Sequence, residues 1–214
     1  MNANPLERIA ARKIVPVVVL DDVDHAEPLA EALLAGGLDV MEVTFRTKAA
    51  PEAIRRIARR FPEILLGAGT LLEPGQVGQA RDAGAVFGLA PGLNEPVVAA
   101  AARLGMVFTP GVMTPSEIDR ALGLGCKLLK FFPAENAGGA RMLAAQAAPF
   151  AHTGVRFVPT GGITAGNLAD YLHLPVVAAV GGSWMVDRKL VAAGDFAEVT
   201  RRTKEALATA AAAG

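Results

Sequence analysis

Eight short runs of β-branched and apolar residues, each followed by a longer stretch with helical character, constrain this chain more than any other feature. The strand-like runs fall at 14–20, 40–45, 65–70, 86–91, 107–112, 127–133, 156–162 and 176–181. Helix-like segments lie at about 24–35, 49–60, 74–83, 94–104, 115–123, 138–148, 165–172 and 195–211. A short N-terminal helix at about 5–11 is expected to close the bottom of the fold. Near-continuous apolar runs suit parallel strands buried on both faces. An open doubly wound sheet produces a similar alternation. Eight units in 214 residues, with no G-x-G-x-x-G turn after the first strand, favour instead a single closed (β/α)8 TIM barrel over residues 1–214. Asp24, Asn94 and Thr114 read as helix caps, and helices are expected to end at Gly36-Gly37, Gly84, Gly105 and Gly125.

Composition narrows the partners. Lys+Arg and Asp+Glu both number 21, so nothing in the charge balance asks for nucleic acid, an anionic membrane or a polyanion. At 52% hydrophobic the chain can fill a full core, yet no apolar run approaches the roughly 20 residues needed to cross a bilayer. Residues 1–13 are charged and lack the apolar stretch of a secretory segment, so a cytoplasmic setting is expected. The single cysteine, Cys126, reads as a core residue inside a strand. His25, His152 and His173 fall outside the strand ends, and no metal site is expected.

In such a barrel the active site lies at the C-terminal ends of the strands. Polar residues there, inside otherwise apolar runs, are the informative ones. In the second strand Glu42, Thr44 and Arg46 share one face, by the period of two. Burying an acid and a base is costly, so the pair is either a structural ion pair at the barrel mouth or part of a site. Thr70, after the small residues Gly67-Ala68-Gly69, adds a hydroxyl beside them, although a lone threonine is often only a helix cap. In the sixth strand Lys127 and Lys130 lie three apart and point to opposite faces. Lys127, near the start, is expected to snorkel to solvent. Lys130, near the C-terminal end among leucines and phenylalanines, loses hydration. That loss, and a nearby cation such as Arg46, would favour a free amine, whereas Glu42 as a close partner would favour the ammonium. A lysine reaching a surface carboxylate is the structural alternative. The seventh and eighth strands end in Gly161-Gly162 and Gly181-Gly182-Ser183. Paired glycines there let backbone N–H groups approach an anion, with a following helix N-terminus adding positive potential, and point to a phosphate.

Two segments carry a resemblance to a known family: Gly37-Leu38-Asp39-Val40-Met41-Glu42-Val43-Thr44-Phe45-Arg46, and 125–138 with Lys130-Phe131-Phe132-Pro133-Ala134-Glu135. Together with Gly69-Thr70, Ala90-Pro91-Gly92, Pro159-Thr160-Gly161-Gly162 and Gly182-Ser183-Trp184, they resemble the bacterial 2-keto-3-deoxy-6-phosphogluconate and 4-hydroxy-2-oxoglutarate aldolases over nearly the whole chain. The resemblance implies a class I aldolase in which Lys130 forms a Schiff base and Glu42 is the general acid/base. It implies that Arg46 and Thr70 hold the substrate carboxylate and that Pro91 and Phe132 shape the pocket. Gly161, Gly162, Gly182 and Ser183, with Thr160 beside them, would take the distal phosphate of a phosphorylated 2-keto acid. The family is typically homotrimeric and needs no metal or other cofactor. The competing readings are an aldolase acting on 4-hydroxy-2-oxoglutarate or on the galactonate epimer, alone or as a second activity, a phosphosugar isomerase using Lys130 electrostatically, and a non-catalytic phosphate binder on the same scaffold.

Overall fold

The computed structural model describes residues 4–213. Its strands are β1 (Ile14–Val18), β2 (Val40–Thr44), β3 (Leu65–Gly69), β4 (Phe87–Leu89), β5 (Val107–Thr109), β6 (Gly111–Val112), β7 (Leu128–Phe131), β8 (Arg156–Pro159) and β9 (Val180–Gly182). The helices are α1 (Pro5–Arg12), α2 (Ala26–Ala35), α3 (Ala50–Arg60), α4 (Pro74–Ala83), α5 (Glu95–Arg103), α6 (Pro115–Gly123), α7 (Gly139–Ala147), α8 (Leu168–Leu172), α9 (Arg188–Ala192) and α10 (Phe196–Ala212). The strand pairings are parallel, so the chain is an α/β protein. One curled sheet runs β5-β4-β3-β2-β1-β9 and a second runs β6-β7-β8.

Two strands differ from expectation. The run at 107–112 divides at Pro110, which has no N–H to offer a ladder. The Pro110 carbonyl accepts from the Lys130 amide at 2.8 Å, and the chain changes partner there, from β4 to β7. The run at 176–181 shortens to β9, because the Val177 amide turns back to donate to Leu174. Isolated bridges from Phe157 to Val177 and from Thr160 to Gly181 connect β8 to this segment. The short helix α9 lies outside every expected helix.

Most helix boundaries follow local chemistry. Thr114 caps α6 and forms a reciprocal capping box with Glu117, satisfying two amides that would otherwise be orphaned. Gly84 ends α4 with φ +112°. Two expected caps are corrected. Asp22, not Asp24, accepts from the Asp24 amide at the start of the 3-10 turn Val23–His25, while Asp24 pairs with Arg56. Asn94 precedes α5 but donates its side-chain amide to the Leu72 carbonyl instead of accepting from the helix. Cys126 is buried as expected, but it precedes β7 instead of lying within it. Burial pushes its thiol up from the usual range.

The strands bury residues on both faces, and two apolar clusters result. The larger lies between strands and helices and includes Met41, Val43, Leu129 and Phe131. The smaller gathers Val15, Val40, Leu65, Leu128 and Val158 from the opposite faces, with Leu6, Ile9 and Ala10 of α1 packed into it. The N-terminal helix therefore closes the interior at the strands' N-terminal end. Arg8 and Arg12 pin it to Asp39 at the foot of β2. Burial alone would raise the Asp39 carboxyl, but the two guanidinium groups outweigh it and hold it below the usual range. With the interior face assigned by this cluster, a period of two places Glu42, Lys130 and Thr160 in the next layer of the same face.

Candidate active site

Glu42 and Lys130 meet inside the fold. Strand β2 has β1 and β3 as neighbours, and β7 has β6 and β8, so this contact crosses the interior instead of running along a ladder. Lys130 Nζ lies 3.6 Å from Glu42 Oε1, with the side chains 5% and 1% exposed. At that distance the oxygen takes part in no hydrogen bond among the described residues. An unsatisfied carboxylate oxygen beside a buried amine is expensive to maintain, and such groups are commonly kept for chemistry. The surroundings are shaped around it. A Cβ added to Gly69 would sit 1.8 Å from Glu42 Oε1, so no side chain is admissible at 69 while the carboxylate keeps its place. The Lys130 ammonium position is also 5.6 Å from the centre of the Phe132 ring, within cation–π range.

Thr44, on the same face as Glu42, is occupied structurally: its hydroxyl donates to the Val18 carbonyl at 3.0 Å. Arg46 stands just beyond β2 and is exposed, and its Nε donates to Thr70 Oγ1 at 3.4 Å. Thr70 is not a helix cap. Its φ is +58°, a left-handed conformation that costs a β-branched residue on the order of 1–3 kcal/mol. That strain places the hydroxyl beside the guanidinium. The charged partner of Lys130 is thus Glu42, while Arg46 is tied to Thr70. Lys127 is exposed, as expected, and reaches the Thr153 carbonyl at 3.5 Å.

A cavity of about 240 Å³ opens beside this pair. Arg46, Phe132, Thr160, Gly161, Gly162, Gly182 and Ser183 line it, which brings together most of the residues expected from sequence. Lys130, Glu42, Thr70 and Pro91 do not form its wall. Thr70 is joined to it through Arg46, and Lys130 adjoins it through Phe132. Pro91 lies against Gly111, the ladder partner of Lys130; a Cβ at 111 would meet the Pro91 carbonyl oxygen at 2.1 Å.

The glycines after β8 behave as an anion cradle requires. Gly161 and Gly162 have φ of +101° and +76°, and neither gives its N–H to another backbone group. The expected contribution of a helix N-terminus is not realised in the same way. Helix α8 begins only at Leu168 and is a single short turn, so the backbone amides of the loop are the local donors. Glu135 stands behind Gly162 and accepts from the Tyr171 hydroxyl. Burial and then this carboxylate push the Tyr171 phenol up.

Sequence reasoning missed two polar groups lining the cavity. These are Asp187 and Arg188, and Arg188 is paired with Asp21 from the end of β1. The histidines lie elsewhere: His25 packs edge-on to Phe196, and His152 and His173 are exposed. Among the described residues, no group of three His, Cys, Asp or Glu side chains is placed to hold a metal ion, and no helix is long and apolar enough to cross a membrane.

Comparison with known proteins identifies the family. The family model for KDPG and KHG aldolase matches residues 6–202, and the chain belongs to that family. It is 50% identical over 202 residues to the 2-dehydro-3-deoxy-phosphogluconate aldolase of Treponema pallidum, covering 94% of each chain. It is 46% identical over 194 residues to the KHG/KDPG aldolase of Escherichia coli K12, covering 91% of this chain and 90% of that one. Among solved structures, the KDPG aldolase of Legionella pneumophila, with pyruvate captured at low pH as a covalent carbinolamine intermediate, superposes with a TM-score of 0.90 at 40% identity. That match covers 95% of this chain and 98% of the other.

Proposed function

We propose that this protein is a Schiff-base aldolase that cleaves 2-dehydro-3-deoxy-6-phosphogluconate to pyruvate and D-glyceraldehyde 3-phosphate. The observation that carries the reading is the buried Lys130 amine 3.6 Å from the unsatisfied Glu42 oxygen. The covalent pyruvate adduct of the Legionella relative supports it. The Glu42 carboxylate takes the proton that Lys130 loses, and the free amine attacks the C2 ketone. That proton leaves with the carbinolamine hydroxyl as water, giving a protonated imine. The imine draws electrons from the C3–C4 bond as Glu42 accepts the C4 hydroxyl proton, releasing the aldehyde and leaving an enamine. Glu42 then returns the proton to C3, and hydrolysis frees pyruvate. One carboxylate serves each step because each cycle restores it. Arg46, oriented by Thr70, holds the C1 carboxylate, while Pro91 and Phe132 shape the pocket. The free amides of Gly161 and Gly162, with Gly182, Ser183 and Thr160 beside them, take the distal phosphate.

The name of the Escherichia coli relative supports a second activity, cleavage of 4-hydroxy-2-oxoglutarate to pyruvate and glyoxylate. The reading extends to a single-domain (β/α)8 barrel, closed where the chain crosses at Pro110 and where β8 bridges Val177 and Gly181. The Glu42–Lys130 contact across the interior supports that closure. A cytoplasmic homotrimer completes it by family resemblance.

A coupled assay of pyruvate release on both substrates, with and without EDTA, tests the reading. The phosphorylated substrate is expected to be cleaved with the higher kcat/KM, and EDTA to leave both rates unchanged. Absence of pyruvate from either substrate, or loss of turnover in EDTA, would overturn it.

A further inference from the structure

The Asp21–Arg188 pair has no part in the chemistry above. Arg188 opens α9 and Asp21 follows β1, 167 positions away in sequence. Arg188 Nε donates to Asp21 Oδ2 and Nη2 to Oδ1, each at 2.6 Å. The Arg188 side chain is 64% exposed, and an ion pair so open to solvent contributes little to stability. Its position suggests a different use, because Arg188 lines the same cavity as Gly161, Gly162, Gly182 and Ser183.

We propose that Arg188, positioned by Asp21, is a specificity-determining residue that binds the distal phosphate of the substrate. This rests on the phosphorylated-substrate reading above. A guanidinium carries five N–H donors in a rigid fork, and the side-on grip of Asp21 engages only the Nε and Nη2 edge. The Nη1 hydrogens remain for a ligand, and the carboxylate fixes the plane in which they point. The other cavity cation, Arg46, is the group assigned above to the C1 carboxylate. The cavity wall also carries Asp187, whose Oδ1 accepts from the Lys189 amide as a cap but whose charge opposes an anion. Neutral glycine amides next to that carboxylate leave a phosphate of about two negative charges without a counter-cation unless Arg188 supplies it.

The test is titration of wild type, Arg188→Ala, Arg188→Lys and Asp21→Asn with inorganic phosphate by calorimetry, alongside kcat and KM on the two 2-keto acids. Arg188→Ala is expected to weaken phosphate binding roughly tenfold, as befits loss of one charge-assisted contact. Arg188→Lys keeps the charge without the fork and recovers part of the affinity. Asp21→Asn, which loosens the guanidinium without removing it, weakens binding in the same direction by a smaller factor. The ratio of kcat/KM for the phosphorylated over the unphosphorylated substrate falls about tenfold in Arg188→Ala, the change entering through KM. A purely structural pair would shift thermal stability equally in Asp21→Asn and Arg188→Ala and leave that ratio alone. Equal phosphate affinity in wild type and Arg188→Ala, or no phosphate binding by wild type, overturns the assignment. The phosphate titration does not pass through Lys130, and capture of pyruvate needs no phosphate, so this assignment and the aldolase reading can fail separately.

Discussion

Replacing Lys130 with methionine lowers turnover at least about 10⁴-fold, because among the described residues no other lysine is buried to form the imine. Methionine fills nearly the same volume, so the loss is chemical and not a packing defect. The substitution has a second effect. It leaves the Glu42 carboxylate, only 1% exposed, with no positive partner. Removing one member of a buried ion pair typically costs about 3–5 kcal/mol. In a chain of this size that lowers Tm by roughly 10 °C. Adding Glu42→Gln to Lys130→Met removes the stranded charge and recovers part of the stability while turnover stays lost. Calorimetric melting of the single and double variants measures the coupling. Additive losses would mean that the two groups do not interact as their 3.6 Å separation indicates.

Glu42→Gln alone keeps the shape of the side chain and the Lys130 amine but removes the proton acceptor. Turnover is expected to fall about 10³-fold, within the range of a lost general acid/base. The two variants separate the roles. Lys130→Met neither turns over nor captures pyruvate covalently, whereas Glu42→Gln still captures it, only more slowly. Stopped assays of pyruvate release, run beside mass measurement after borohydride reduction, distinguish the two. Normal turnover in Glu42→Gln would remove the carboxylate from the mechanism and leave its unsatisfied oxygen without an explanation.

The parts of this site that were legible in sequence share a physical origin. Lys130 and Glu42 stood out because charge inside apolar strand runs is costly, and alternation along a strand told which face each would take. Thr160-Gly161-Gly162 and Gly182-Ser183 stood out because strand ends that stop in glycine offer free amides. The eight-unit alternation located the strands to within a few residues, since burial on both faces makes each run continuously apolar. What was not legible depends on how distant segments come together. Asp21 and Arg188 are 167 positions apart, and neither sits in a telling pattern. Only the curl of the sheet brings the exit of β1 to α9. The left-handed backbone of Thr70 is equally hidden, because residue type disfavours it and tertiary context imposes it. The break at Pro110 was visible in principle, as a residue without an amide donor inside a strand. The apolar pattern around it read as one run. Arg46 stands in the exposed rim beyond the end of β2 and donates to Thr70, while the carboxylate facing Lys130 is Glu42.

The most direct test of the central claim is borohydride reduction in the presence of pyruvate, followed by peptide mass mapping, with and without EDTA. A reduced pyruvyl adduct on the peptide carrying Lys130, formed equally in EDTA and absent in Lys130→Met, is the predicted result. No adduct, or an adduct on the exposed Lys127 instead, would contradict it.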